Sequence, residues 1–467
     1  MNVLGVAILV LFILGGATAF AFVRGIRGIT LIVALGWLIV SPRAFIPLSG
    51  LPELTKDVGV SYAILIGLVV VRSDLLRNFR FQSLDLFMLG WIGAPFISSI
   101  ANGLGLWDAC SELYERFFIW GVPYLAGRIG VRSLRDVREC AIGVIIAGLI
   151  AAPLCLIEIR LSPQIHRWIY GVHPAPFHMS MRLGGYRPML SFRHGIEVGT
   201  WMACASIVAA WFGLIAGRDR LFSVPMRAHG VILFVVTVMC RSLGTLALLF
   251  GSIAVLLFTR ASRMKIAILL LVLATPTYIG LRTTGIWSPD MIADVVETFI
   301  DGDRADSMRA RTFQEDEMGA KASQRRFFGW GGHNRFRVFD DYGEATTPID
   351  ALWLIAYGKN GLLGLIGLYG MLCAPAFLIV RRTPAKLLLH PNMAGVVGLI
   401  LALMIATGDS LQNAFFSPLM MMSAGVLVTT ATSLRSWLPS PNRVSQSPAT
   451  AQPNQANTSV LMPRTTP

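Results

Sequence analysis

Three places in this chain carry side chains able to hold an anion and move a proton. The first is Gly184-Gly185-Tyr186-Arg187-Pro188-Met189-Leu190-Ser191-Phe192-Arg193-His194-Gly195-Ile196-Glu197, where Arg187, Arg193, His194 and Glu197 gather as the chain re-enters an apolar segment. The second is Arg241, in the tight reversal Cys240-Arg241-Ser242-Leu243-Gly244 between two apolar segments. The third is a hydrophilic island from Thr284 to Thr347, with Arg309, Arg311, Trp330, His333 and Arg335, followed at once by Asp350. Guanidinium forks match phosphate oxygens because their planar donors are bidentate and the charge does not titrate. The clustered arginines therefore suit a membrane-embedded diphosphate, and Arg241 has little reason to occupy its reversal unless it has an anion to hold. Arginines that only snorkel from segment ends are the competing reading.

The elements that position these residues follow from composition. Of 467 residues, 54% are hydrophobic and 14% charged, the mean hydropathy is +0.63, and runs such as 3–23 approach the roughly 20 residues that span a bilayer. The chain reads as an all-α, polytopic membrane protein. Its net charge of +14 does not point to nucleic acid, because no basic patch alternates with aromatic residues as stacking surfaces require. Cysteines 110, 140, 155, 204, 240 and 373 show no CxxC spacing, which argues for small buried hydrophobes over zinc or a disulfide framework. No Walker loop, dinucleotide fingerprint, paired metal-ligand spacing or internal repeat is present, so no cofactor and no metal are expected.

Thirteen apolar segments are predicted, at about 3–23, 29–48, 58–73, 84–101, 113–127, 138–159, 196–216, 226–241, 242–259, 264–282, 349–380, 393–409 and 416–434. With the amino terminus outside, six short basic loops fall in the cytoplasm, while 102–112 and 410–415 carry no Lys or Arg, as the positive-inside rule expects. The island and the loop 160–195 then face outward, and the first segment reads as an outside-in anchor, not a cleaved signal. The domain plan is a transmembrane body over 1–437, the outer loop 284–347 between its tenth and eleventh segments, and a disordered cytoplasmic tail over 438–467, rich in Ser, Pro, Thr, Asn and Gln. Glu158 and Asp409 are the main charges within apolar segments, both near segment ends. Inside the island, Ser288-Pro289-Asp290 reads as a helix start, with Ile292, Val295, Val296, Phe299 and Ile300 at helical spacing up to Gly302. A second helix is predicted over Asp306–Ser323. The turn Gly329-Trp330-Gly331-Gly332 is read as a place where backbone approaches a ligand.

Asp306-Ser307-Met308-Arg309-Ala310-Arg311, Ala322 to Arg335, Thr347-Pro348-Ile349-Asp350-Ala351-Leu352-Trp353-Leu354 and Gly361-Leu362-Leu363-Gly364-Leu365 together resemble the carboxy-terminal signature of the O-antigen polymerase and O-antigen ligase superfamily. Arg187 to Glu197 and Arg241 to Gly244 resemble its upstream arginine motifs, and the similarity covers roughly residues 180–370. The resemblance implies a C-type glycosyltransferase in the bacterial inner membrane, metal-independent and inverting, moving a glycan from undecaprenyl diphosphate. Carried over residue by residue, it implies that Arg187 and Arg241 hold the diphosphate, with Arg193, Arg309 and Arg311 candidates for the same cradle. His333 is then the first choice for the base that takes the acceptor proton, because an unperturbed imidazole titrates near neutrality, and His194 is the second. Asp350 and Glu197 would orient the acceptor, with Trp330 and Arg335 beside it. The implied acceptor is another lipid-linked glycan in a polymerase or a lipid A core in a ligase, with surrounding membrane lipids and a chain-length regulator as partners. One departure stands out: family members place a His-Asn pair where this chain has Pro348-Ile349-Asp350, so Asp350 is the expected substitute, or the step needs no strong base. Two other classes stay open, a polysaccharide-lipid flippase or transporter and a scaffold for a polysaccharide machine.

Overall fold

The computed structural model describes residues 3–23, 25–217, 219–286, 302–345 and 350–437, with backbone only for 302–308, 310 and 311. The predicted amphipathic helix from Ser288 and the predicted tail from 438 lie outside the described residues. A helix stands at each of the thirteen apolar segments, from Val3–Ala19 to Pro418–Trp437. Among the described residues, six helices are long and apolar enough to cross a membrane: Leu134–Leu161, Gly195–Ile215, Leu243–Ser262, Ile266–Thr284, Leu352–Arg382 and Pro391–Asp409. The chain is thus a predominantly helical protein of membrane character, and the predicted helix within the island is present, beginning earlier, as Gly302–Ser323.

Small antiparallel hairpins decorate this helical body. Among the described residues three occur, pairing Phe45–Leu48 with Leu51–Thr55, Met181–Arg182 with Gly185–Tyr186, and Arg220–Leu221 with Val224–Pro225. The second segment, predicted to run to 48, ends as a helix at Ile39. Pro42 and Pro47 explain this, since proline lacks a donor and biases the residue before it away from helical angles.

Contacts between loops sort them into two sets, one at each end of the bundle. At one end Arg128 pairs with Asp85 at 2.7 Å, Arg138 reaches Asp219, and Lys265 donates to the Arg381 carbonyl. At the other, Arg187 meets Arg241, His194 stacks on Phe415, His333 meets Asp108, and the Leu352 amide donates to Ser410. All the predicted site residues with described side chains belong to the second end.

The island is held there by two devices. Helix Gly302–Ser323 docks through Glu315, which accepts from Arg282 Nε at 3.0 Å and from the Tyr278 hydroxyl at 2.8 Å, while Asp316 takes the Arg282 Nη2 at 2.9 Å. The second device is a break in Leu352–Arg382, where Gly361 adopts φ 64° and ψ −160°. A broken helix strands backbone groups that must find partners. The island supplies them: the Trp330 and Gly331 amides donate to Gly358 and Lys359, and Leu362 donates to the Arg326 carbonyl.

Candidate functional site

The second of these ends holds two polar clusters, and they divide the sequence-predicted residues between them. The first is built on the loop that leads into Gly195–Ile215. Glu158, buried at the end of Leu134–Leu161, accepts the amides of Ile165, Met189 and Leu190 at 3.1, 2.7 and 2.8 Å. This carboxylate, read from sequence as one of two charges near the ends of apolar segments, is therefore the organiser of this loop. Lys56, also buried, ties the loop to a neighbouring helix by donating to the Ser191 and Trp37 carbonyls at 2.6 and 2.7 Å.

On that frame Arg187 is 5% exposed, yet only its Nη2 is satisfied, by the Arg241 carbonyl at 2.9 Å. Its Nε and Nη1 meet no acceptor among the described residues. Burial and then the nearby Arg182 push its pKa down to about 10, so it stays charged at neutral pH. A buried guanidinium with two free donors is costly unless an anion completes it. Gly195 makes room for it, since a Cβ there would lie 2.3 Å from Arg187 Cδ.

The other arginines behave differently. Arg241, with φ 54°, gives Nη1 to the carbonyls of Arg182 and Leu183 at 3.0 and 2.6 Å. It secures the hairpin beside the site, and Gly185 lies against its guanidinium. The sequence reading gave it only an anion to hold; the structure gives it a structural task and presents its carbonyl to Arg187. Arg193 pairs with Asp57, and Glu197 spends its two oxygens on the Trp37 indole at 2.9 Å and the Arg193 amide at 3.1 Å. Through these two bonds Glu197 braces the loop against a neighbouring helix.

His194 caps Gly195–Ile215, its Nδ1 accepting from the Ile196 amide at 3.1 Å, and its ring stacks on Phe415 at 5.8 Å. The neutral tautomer compatible with that bond carries its proton on Nε2, making His194 a donor and not the base predicted from sequence. Burial, then Arg187 and Arg182, lower its pKa from 6.5 to about 4, with Asp350 partly opposing them. Asp350 is exposed and is thereby within electrostatic reach of His194. The site thus assembles Arg187, His194, Asp350 and the Arg241 carbonyl.

The second cluster surrounds the glycine turn. His333, exposed and at φ 56°, meets Asp108 at 3.1 Å through Nε2. Lys359 donates to both oxygens of Glu112 at 2.6 and 2.7 Å. Asn102 donates to the Gly329 carbonyl at 2.9 Å and accepts from Arg325, while Arg335 reaches the Asn102 carbonyl at 3.5 Å. Trp330 donates from Nε1 to Lys321 at 2.9 Å, and the Arg325 guanidinium sits 4.7 Å from its ring centroid. No contact joins His333 to Arg187, His194 or Asp350 among the described residues, so the first-choice base lies in a different cluster. The glycine turn is also reassigned. A Cβ at Gly329 would lie 2.5 Å from the Lys359 carbonyl, while one at Gly331 would meet the Leu104 side chain, so Gly329 admits a helix backbone where a ligand was expected. Arg309 is half-buried on Gly302–Ser323, and the side chain of Arg311 lies outside the described residues.

Sequence reasoning missed Arg182, Phe415, Lys56 and Asp57. Lys56-Asp57 stood at the mouth of an apolar segment, which is the signal that could have found them; Phe415 carried none. No protein-family model matches the chain, and no curated protein matches it.

The loop also carries a pH dependence. His166 is buried, with Nε2 2.8 Å from the Ser41 hydroxyl and Nδ1 2.6 Å from the Val172 carbonyl, and burial lowers its pKa from 6.5 to about 4. For both histidines the folded-state pKa lies below the ordinary value, so the unfolded chain binds protons first as pH falls. Stability is full above pH 6.5 and is lost as pH drops toward 4. The thermal midpoint of purified protein is expected to fall through that window, and H166Q/H194Q to flatten the fall. Equal slopes in the two proteins would refute this.

Proposed function

We propose that the chain is an inverting glycosyltransferase of the O-antigen polymerase and ligase type, acting at the outer face of a bacterial inner membrane that its thirteen helices cross. Its amino terminus lies outside. The donor is a glycan on undecaprenyl diphosphate, and the reaction is polymerisation onto a second lipid-linked glycan. The observation that carries this reading is Arg187, a buried guanidinium with Nε and Nη1 unsatisfied, beside a second arginine at the outer ends of apolar helices. Such a group calls for a membrane-borne anion, and an activated lipid diphosphate is one able to drive synthesis where nucleotides are absent.

In the proposed step the acceptor hydroxyl oxygen bonds to the anomeric carbon from the face opposite the diphosphate. The bond from that carbon to the diphosphate oxygen breaks, and its electron pair stays on the leaving group. Arg187 neutralises the charge that develops there, a kind of term worth roughly 3–4 kcal/mol per well-placed donor. His194 adds its Nε2 proton as a donor. Asp350 takes the hydroxyl proton, filling the position where the resembled family carries a histidine. Purified full-length chain given a short-chain undecaprenyl-diphosphate glycan should yield longer chains together with released lipid diphosphate. Neither product appearing, with the protein monodisperse, would overturn the reading. Transport of the intact lipid-linked glycan across a vesicle membrane, without chain growth, would favour the flippase class.

A further inference from the structure

The loop 160–195 contains five arginines, four histidines and no aspartate or glutamate. That is a strange composition for a loop at this end of the bundle, because loops on the translocated side ordinarily avoid Lys and Arg. Two of the arginines are accounted for: Arg187 in the site and Arg193 by Asp57. Arg160, Arg167 and Arg182 are exposed, and no side-chain hydrogen bond or ion pair engages them among the described residues.

Apolar side chains lie between these cations and are equally unpartnered. Trp168 is 62% exposed, and Ile169, Met181 and Leu183 are also exposed. They continue, along the chain, the exposed apolar end of Leu134–Leu161, where Ile157 and Leu161 face outward. Ring contacts of His173 with Phe177 at 5.1 Å and of Phe177 with Tyr186 at 6.2 Å bind this stretch to the hairpin carrying Arg182. The cations and the apolar groups therefore belong to one supported surface.

Water alone suits neither half of that surface, since the apolar groups lose by exposure and three like charges repel. A membrane interface suits both: arginine stems lie along hydrocarbon while their heads meet phosphates. We propose that the loop 160–195 is a lipid-surface element, with Trp168, Ile169, Met181 and Leu183 entering the hydrocarbon edge and Arg160, Arg167 and Arg182 holding anionic phospholipid headgroups. Free phosphate offers the same oxygens, but only a lipid also covers the apolar side chains. This rests on charge and exposure, and it stands whether or not the chain transfers glycans.

The test uses the full chain and no activity assay. Protein extracted from bilayers of phosphatidylcholine and phosphatidylglycerol is analysed by mass spectrometry for retained lipid. The native chain should enrich phosphatidylglycerol, and R160Q/R167Q/R182Q should lower that enrichment by about tenfold. Equal enrichment in the two proteins, or release of the lipid by inorganic phosphate at matched ionic strength, overturns the proposal. A second arm holds if the triple variant fails to fold. A nitroxide on I169C, in a C110S background because the other native cysteines are buried, should be more accessible to oxygen than to an aqueous nickel complex. The reverse order of accessibility overturns it as well.

Discussion

Arg187→Lys is expected to lower the rate of lipid-diphosphate release by about 100-fold or more while leaving the thermal midpoint close to that of the native chain. Charge is conserved in this substitution, so a site needing only a positive potential would be nearly indifferent to it. The geometry says otherwise. One arm of the Arg187 fork is committed to the Arg241 carbonyl at 2.9 Å, and the other two donors are left for the ligand. A lysine ammonium is a point charge on a flexible stem and cannot hold the carbonyl and present a planar pair of donors together. Arg193→Lys provides the contrast, because Arg193 is exposed and its charge is already met by Asp57. That variant should stay within several-fold of native, because lysine keeps the positive charge that the buried Asp57 carboxylate needs. If the two variants lose activity equally, Arg187 has no special role and the diphosphate must bind elsewhere. If neither loses activity, the transferase reading fails at its central residue.

What could be read from sequence follows from the range of the forces involved. Apolar length and the placement of arginines are properties of the chain at short range, so each segment yielded a helix, and the loops sort into two sets of contacts. The arginine loop was legible as a site for the same reason: Arg187, His194 and Glu197 are close in sequence. Partners distant in sequence were not. Nothing near Glu197 indicates that Trp37 will fill one of its oxygens, and nothing near His194 indicates that the helix it caps will fix its tautomer. The Gly329–Gly332 run was correctly seen as a place of close approach, but glycine states only that something comes near. Which backbone comes near was decided by the break at Gly361, some thirty residues away. His333 was preferred because histidine titrates near neutrality, a property of the residue type, and its pairing with Asp108 depends on a loop contact no spacing reveals.

That break gives the second large effect. Gly361→Val is expected to release the island from the bundle, at a cost of about 3–5 kcal/mol. Two penalties combine. The φ 64°, ψ −160° conformation belongs to a region essentially confined to glycine. A Cβ there would also lie 2.4 Å from the carbonyl carbon and oxygen of Phe327, and those backbone atoms have no rotamer by which to yield. The easiest relief is for residues 326–331 to undock, which strands the Gly358 and Lys359 carbonyls and the Leu362 amide they had satisfied. Trypsin reads this directly, since Arg325 and Arg326 are exposed and sit at the lip of the docked turn. Opening made easier by 3 kcal/mol raises the cleavable population by about 100-fold, and initial cleavage should rise accordingly. Gly251→Ala is the matched control, because a Cβ at Gly251 meets nothing within 4 Å. Asp350 lies on the near side of the break, ahead of Leu352–Arg382. If Gly361→Val raises cleavage yet leaves lipid-diphosphate release intact, the island only shelters the chemistry. If both change together, docking of the turn at Gly361 is what holds Asp350 opposite Arg187. Unchanged cleavage would mean that the turn is not held by the broken helix at all.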